Sequence, residues 1–143
     1  MKSKIVLLLV AITLLFALTA CDQGSAPAQS GEATAQGSPT VQEIGQGSTS
    51  FRFEVTNNDG VLSAWNVSTD EATVGEALLD LGLIDGDMSD WGLFVLEVDG
   101  VVADFDANGA WWAFYIDGEM AMVGVDGAEI EEGVVYAFIY TVD

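Results

Sequence analysis

One hundred and forty-three residues carry 23 acidic side chains against three basic ones, with no histidine and a single cysteine. A surface of that charge repels nucleic acid and anionic headgroups, so recognition of DNA or RNA through a basic patch is excluded. Without histidine there is no Ser–His or Cys–His nucleophile pair and almost no zinc chemistry, and one cysteine makes no intrachain disulfide.

Lys2 and Lys4 precede Ile5 to Phe16, a nearly unbroken run of Ile, Val and Leu. About a dozen apolar residues is short for a membrane span but suits the core of a signal peptide, here residues 1–20. The ending Leu18-Thr19-Ala20-Cys21 resembles a bacterial lipobox. That resemblance implies a lipid on Cys21, which would hold the protein on the extracytoplasmic face of the cell membrane. Loss of the leader leaves Arg52 alone against all 23 carboxylates, a formal charge of −22.

Residues 21–49 are mostly Gly, Ser, Ala, Gln, Thr and Pro without an aromatic, and read as a disordered tether. Its flexible reach is roughly 30 Å. Residues 50–143 hold the 13 aromatics that remain once Phe16 leaves with the leader, enough for one small core.

Within that domain the periodicity is α+β. Phe51, Phe53 and Val55 alternate with Arg52, Glu54 and Thr56 as on a half-buried strand. Asn57-Asn58-Asp59-Gly60 turns the chain into a second strand through Val61, Trp65 and Val67. Thr73-Val74-Gly75-Glu76 has the form of a capping box, Val74, Ala77, Leu78 and Leu81 share one helical face, and Gly82 ends the helix. Leu93–Val98 turns at Asp99-Gly100, Trp111–Ile116 turns at Asp117-Gly118 into Met120–Val125, and Val134–Val142 follows. The last strand is apolar on both faces and is therefore central or covered on both sides. Two early strands, one main helix and a late central strand predict a small β-grasp-like domain with a mixed sheet.

Three patterns are candidates for chemistry. Asp104-Phe105-Asp106-Ala107-Asn108-Gly109 matches the first half of an EF-hand loop, which makes Asp104, Asp106 and Asn108 weak metal candidates. The twelfth position, where a bidentate Glu belongs, is Tyr115, and a hydrogen-bonded Asx turn accounts for the same residues. Asp85, Asp87 and Asp90 form a second acidic group in an expected loop. Paired-carboxylate catalysis needs a cleft that so small a domain hardly provides, and no enzyme is expected. In Ala110–Ile116, Trp111, Ala113 and Tyr115 face one side of a strand and Trp112, Phe114 and Ile116 the other. One set packs in the core; the other is either covered by loops or open to a flat, neutral partner.

Taken in order, Thr73 to Leu79, Val98-Asp99-Gly100-Val101, Asp104 to Gly109, Ala110 to Gly118, Gly124-Val125 and Glu132-Gly133 with the closing strand resemble one known domain. It is the transcobalamin-like C-terminal domain, also catalogued as DUF4430, often carried by bacterial surface lipoproteins. The resemblance implies non-covalent binding of a corrinoid by Trp111, Trp112 and Tyr115 together with Ala121, Met122 and Gly124; the sequence holds no histidine to ligate its cobalt. It also implies delivery to a membrane transporter component, since the helical domain that completes such clamps is not in this sequence. The alternative is a structural or adhesive surface domain that recognises protein or cell-wall polymer.

Overall fold

In the computed structural model, which describes residues 39–143, the sheet starts earlier than composition predicts. Val41–Gly45, inside the expected tether, forms β1 and pairs in parallel with the later strand Leu62–Thr69. Ile44 packs against the core, and the Glu43 carboxylate accepts a 2.7 Å hydrogen bond from Asn66 Nδ2. Ser48 donates its N–H and hydroxyl to Asp70 Oδ1 at 2.8 and 2.9 Å, which holds the Asp70 carboxyl below its ordinary range. An edge strand needs only one neighbour and one buried side chain, so apolar density was a poor guide here. The leader, Cys21 and the tether up to residue 38 lie outside the described residues.

β2 (Thr49–Thr56) buries Phe51, Phe53 and Val55 as the alternation requires and turns Arg52 and Glu54 outward. The 3.0 Å Arg52–Glu54 pair is partly exposed and contributes under about 1 kcal/mol. Asn57 Oδ1 accepts from the N–H groups of Asp59 and Val61 and sets the turn. β3 (Leu62–Thr69) returns antiparallel with Trp65 and Val67 in the core; Val61 stays outside it and exposed.

α1 (Val74–Asp80) has the predicted capping box. Glu76 N–H donates to Thr73 Oγ1 at 3.3 Å, and Thr73 N–H donates to Glu76 Oε2 at 3.3 Å. At the other end Leu83 N–H reaches Leu78 O and Gly82 N–H reaches Leu79 O, a Schellman closure with Gly82 at φ 66°. Leu78 and Leu83 are both buried where that closure brings them together.

β4 (Ile84–Ser89), β5 (Gly92–Val98) and β6 (Val101–Val102) make a separate three-stranded sheet. Asp85 and Asp87 therefore lie on a strand, not in a loop, and only Asp90 is in a turn. β4 has one buried side chain, Ile84, so it leaves no alternating signature. The register jumps from Glu97 opposite Asp85 to Val95 opposite Gly86, leaving Leu96 as a bulge. The extra residue restores phase, so that Leu93, Val95 and Val98 all face the core.

α2 (Phe105–Asn108) is one helical turn ahead of β7 (Ala110–Ile116). After the Asp117-Gly118 turn, β8 is only Glu119–Met120; residues 121–124 leave the ladder instead of continuing as the expected strand to Val125. A 3-10 turn (Val125–Gly127) follows, and β9 (Val135–Val142) runs parallel to β2 and antiparallel to β7. The large sheet has the order β1-β3-β2-β9-β7-β8, with β9 inside it as expected. The described part is a strand-rich α+β fold with one core, in which α1 and both sheets share Phe53, Leu78, Val98 and Phe138.

Gly75, buried on α1, lies against the 3-10 turn: a Cβ there would meet Asp126 Cα at 2.8 Å and Asp126 N at 2.9 Å. Alanine favours helix over glycine by about 1 kcal/mol, but this neighbour is backbone and cannot rotate away. Gly75→Ala is therefore expected to lower stability by about 1–3 kcal/mol in urea melts, the overpacking cost exceeding the helical gain.

Candidate functional site

Hydrogen-bond parity on β7 decides which of its groups are free. Asp117 N–H donates to Val135 O and Asp143 N–H to Gly109 O, so the odd-numbered residues of β7 bond β9. Trp112 and Phe114 then direct their backbone groups to the opposite edge. There Ala121 N–H reaches Phe114 O at 2.9 Å. The β8 ladder ends at Tyr115 and Ile116, so Trp112 N–H, Trp112 C=O and Phe114 N–H lie outside it.

The same holds on β5. The Asp90-Trp91 turn closes on the Ser89–Gly92 pair, which points Gly92 and Phe94 at β4 and turns Leu93 and Val95 away from it. β6 covers Glu97 and Val98, and Ala103 N–H just beyond it reaches Leu96 O at 2.8 Å. Between these two uncovered edges lies a groove of about 240 Å³, lined by Leu93, Phe94, Val95, Trp111, Trp112, Phe114, Met120, Ala121, Gly124, Val125 and Phe138.

Four of the sequence candidates, Trp111, Trp112, Ala121 and Gly124, line this groove. Tyr115 and Met122 do not; Tyr115 is half-buried and Met122 is 95 % exposed on the loop beyond. Trp112 turns its ring to the core, donates Nε1–H to Val101 O at 3.1 Å and stands edge-on to Tyr140 at 5.2 Å. Its ring is fixed structurally, which leaves its backbone as the part open to the groove. The β5 wall was missed, because it belongs to a different sheet and no pattern in sequence joins the two. Phe94 stands out only in the fold, where it is 56 % exposed.

Large exposed apolar side chains gather around this region. Trp91, at 97 % exposure, occupies the β4–β5 turn, while Met120, Met122 and Val123 lie on the opposite bank. The Asp126 carboxylate joins the banks: a Cβ on Gly92 or on Gly124 would come within 2.7 or 2.6 Å of its oxygens. Phe94 also borders a second, larger depression of about 510 Å³ with Leu96, Val102 and Phe105, rimmed by Asp104 and Asp106.

The calcium candidates do not form a cage. Asp104 caps α2 by accepting from Ala107 N–H at 2.9 Å, and Asn108 Oδ1 accepts from Ala110 N–H at 3.1 Å, an Asx turn. Among the described residues no three Asp, Glu or Cys side chains converge as a metal site.

Behind the groove, Tyr136 on β9 anchors the chain that leads back from α1. Its hydroxyl donates to Glu129 O at 2.8 Å and accepts from Glu131 N–H at 3.0 Å. Burial raises the phenol above its ordinary value, with the Glu131 charge adding to this and the Glu131 N–H opposing it.

Residues 71–140 match a family described as a domain of unknown function, DUF4430. No curated protein matches the chain. A Ruminococcus gnavus protein, described as metal binding by inference, is 25 % identical with a TM-score of 0.64, over 67 % of this chain and 99 % of its own. Haptocorrin, solved in complex with Cbi, is 15 % identical with a TM-score of 0.50 over 66 % of this chain, which spans only 25 % of haptocorrin's length. The likeness to haptocorrin is one of fold.

Millimolar calcium in place of chelator should leave the thermal midpoint unchanged, whereas Asp104→Ala should cost about 1 kcal/mol through the lost cap. Tyr136→Phe should cost about 1–3 kcal/mol by leaving two backbone groups unpaired. Because the folded phenol is raised, its contribution is complete below the ordinary value of 10.0 and disappears as pH rises through the folded value. Denaturation between pH 9 and pH 12 should accordingly show an alkaline loss in wild type that the variant lacks (~1 pH unit resolution suffices).

Proposed function

We propose that this protein is a non-enzymatic binding module, held at the extracytoplasmic face of the membrane by a lipid on Cys21, that captures a flat corrinoid-like ligand for a membrane transporter. The observation that carries this reading is the gathering of exposed apolar groups, Trp91, Phe94, Met120 and Met122, around a groove with free backbone edges. Apolar ligand area would be buried against these side chains, and the edges would supply hydrogen bonds. We read the hairpin, helix and inserted last strand as β-grasp-like.

Size limits what the module does alone. Pockets that enclose a drug-sized ligand are typically about 300–1,000 Å³, and this groove is about 240 Å³. It grips an edge or one face of a corrinoid, and a second protein covers the other. The family match and the fold shared with haptocorrin, which was solved with Cbi, support the ligand class.

The experiment is titration of the full-length protein with cobinamide, followed by tryptophan fluorescence and calorimetry. Quenching with measurable heat is expected, and Phe94→Ser should weaken it about tenfold, or ~1.4 kcal/mol. No heat and no quenching up to millimolar ligand would sink the corrinoid reading.

A further inference from the structure

We infer that the gap between β5 and β7 is a strand-acceptor slot for an extended segment of another polypeptide, apolar at its centre and flanked by basic residues. The inference rests on the groove being a binding face and not on the corrinoid.

The groove walls are two strand edges, not merely apolar surface. Trp112 presents its N–H and C=O and Phe114 its N–H on one side, outside the β8 ladder, and Leu93 and Val95 present theirs on the other. An extended chain is complementary to both at once, because its own N–H and C=O groups alternate to its two sides with that period. Added strands of this kind gain affinity from main-chain bonds and specificity from alternate side chains. Here the floor, with Phe114, Phe138 and Val125, would take one central apolar side chain.

The walls come within 8 Å between Cα atoms and carry no ladder between them. An inserted strand needs two interstrand spacings, about 9.6 Å. Seating it therefore moves the walls apart, and since they belong to different sheets no existing ladder breaks.

Charge sets the flanks of the guest. Asp126 lies against Gly92 and Gly124 at the groove, Asp87 is opposite Phe94, and Glu119 begins β8. Arg52 is the one cation among the described residues. Lysine or arginine on either side of the apolar centre is therefore attracted, and an acidic segment is repelled.

The test uses full-length protein and a seven-residue peptide with a Val-Phe-Val centre between Thr and Lys at each end. Amide exchange followed by NMR should slow at least tenfold at Leu93, Val95, Trp112 and Phe114. The same peptide, N-methylated at alternate residues, keeps its side chains but should give no protection. Absence of protection at millimolar peptide overturns the inference, as does equal binding of the methylated peptide. Val95→Pro deletes one slot donor without removing a β4 ladder bond and should weaken binding about tenfold; a folded Val95→Pro protein that binds like wild type also overturns it. Should Val95→Pro not fold, the methylated peptide decides on unaltered protein. A null cobinamide titration leaves this result standing, because the readout is protection by peptide.

Discussion

The insertion of β9 between β2 and β7 is the constraint from which the other arrangements follow. It pairs in parallel with one strand and antiparallel with the other, and so joins the early hairpin to the late aromatic strand. Its inward residues make this junction a packing event as well. Tyr136 meets Phe51 edge-on at 5.4 Å, and Phe138 lies 6.3 Å from Phe53 and 5.1 Å from Phe114. Both are about 1 % exposed, and burial of a ring that size contributes several times the worth of any surface ion pair here. With β9 occupying one edge of β7, the other edge is what remains for the groove.

How much of this was legible in sequence depended on how many neighbours a residue type needs. Phe51, Phe53 and Val55 announced β2 because one face of a strand is a local pattern. Thr73 and Glu76 announced α1 because a capping box closes within four residues. β1 and β4 were not legible: Val-Gln-Glu-Ile-Gly and Ile-Asp-Gly-Asp-Met-Ser bury almost nothing themselves and are strands only because a partner is already there. The opposite error came at Met120–Val125, where apolar residues suggested a strand but Met122 and Val123 point to solvent.

The site divides in the same way. Trp111 and Trp112 stood out as residues, and the sequence placed them on opposite faces of one strand, as they are. That Trp112 would act through its backbone and not its ring depends on Val101 O and Tyr140, contacts 11 and 28 positions away in the chain. The β5 wall depends on where a second sheet stops. A register bulge at Leu96 and a two-residue β6 leave Leu93 and Val95 uncovered, and neither feature has a composition of its own.

The position of β9 in the chain has a bearing on timing. A ribosome must deliver residue 142 before the hairpin of residues 49–69 can meet the strand of residues 110–116. Until then the early strands have only local partners, and pairings between distant segments are slow because loop closure precedes any gain. The chain is thus kept open while it is being made, and its native sheet closes only after the last strand arrives.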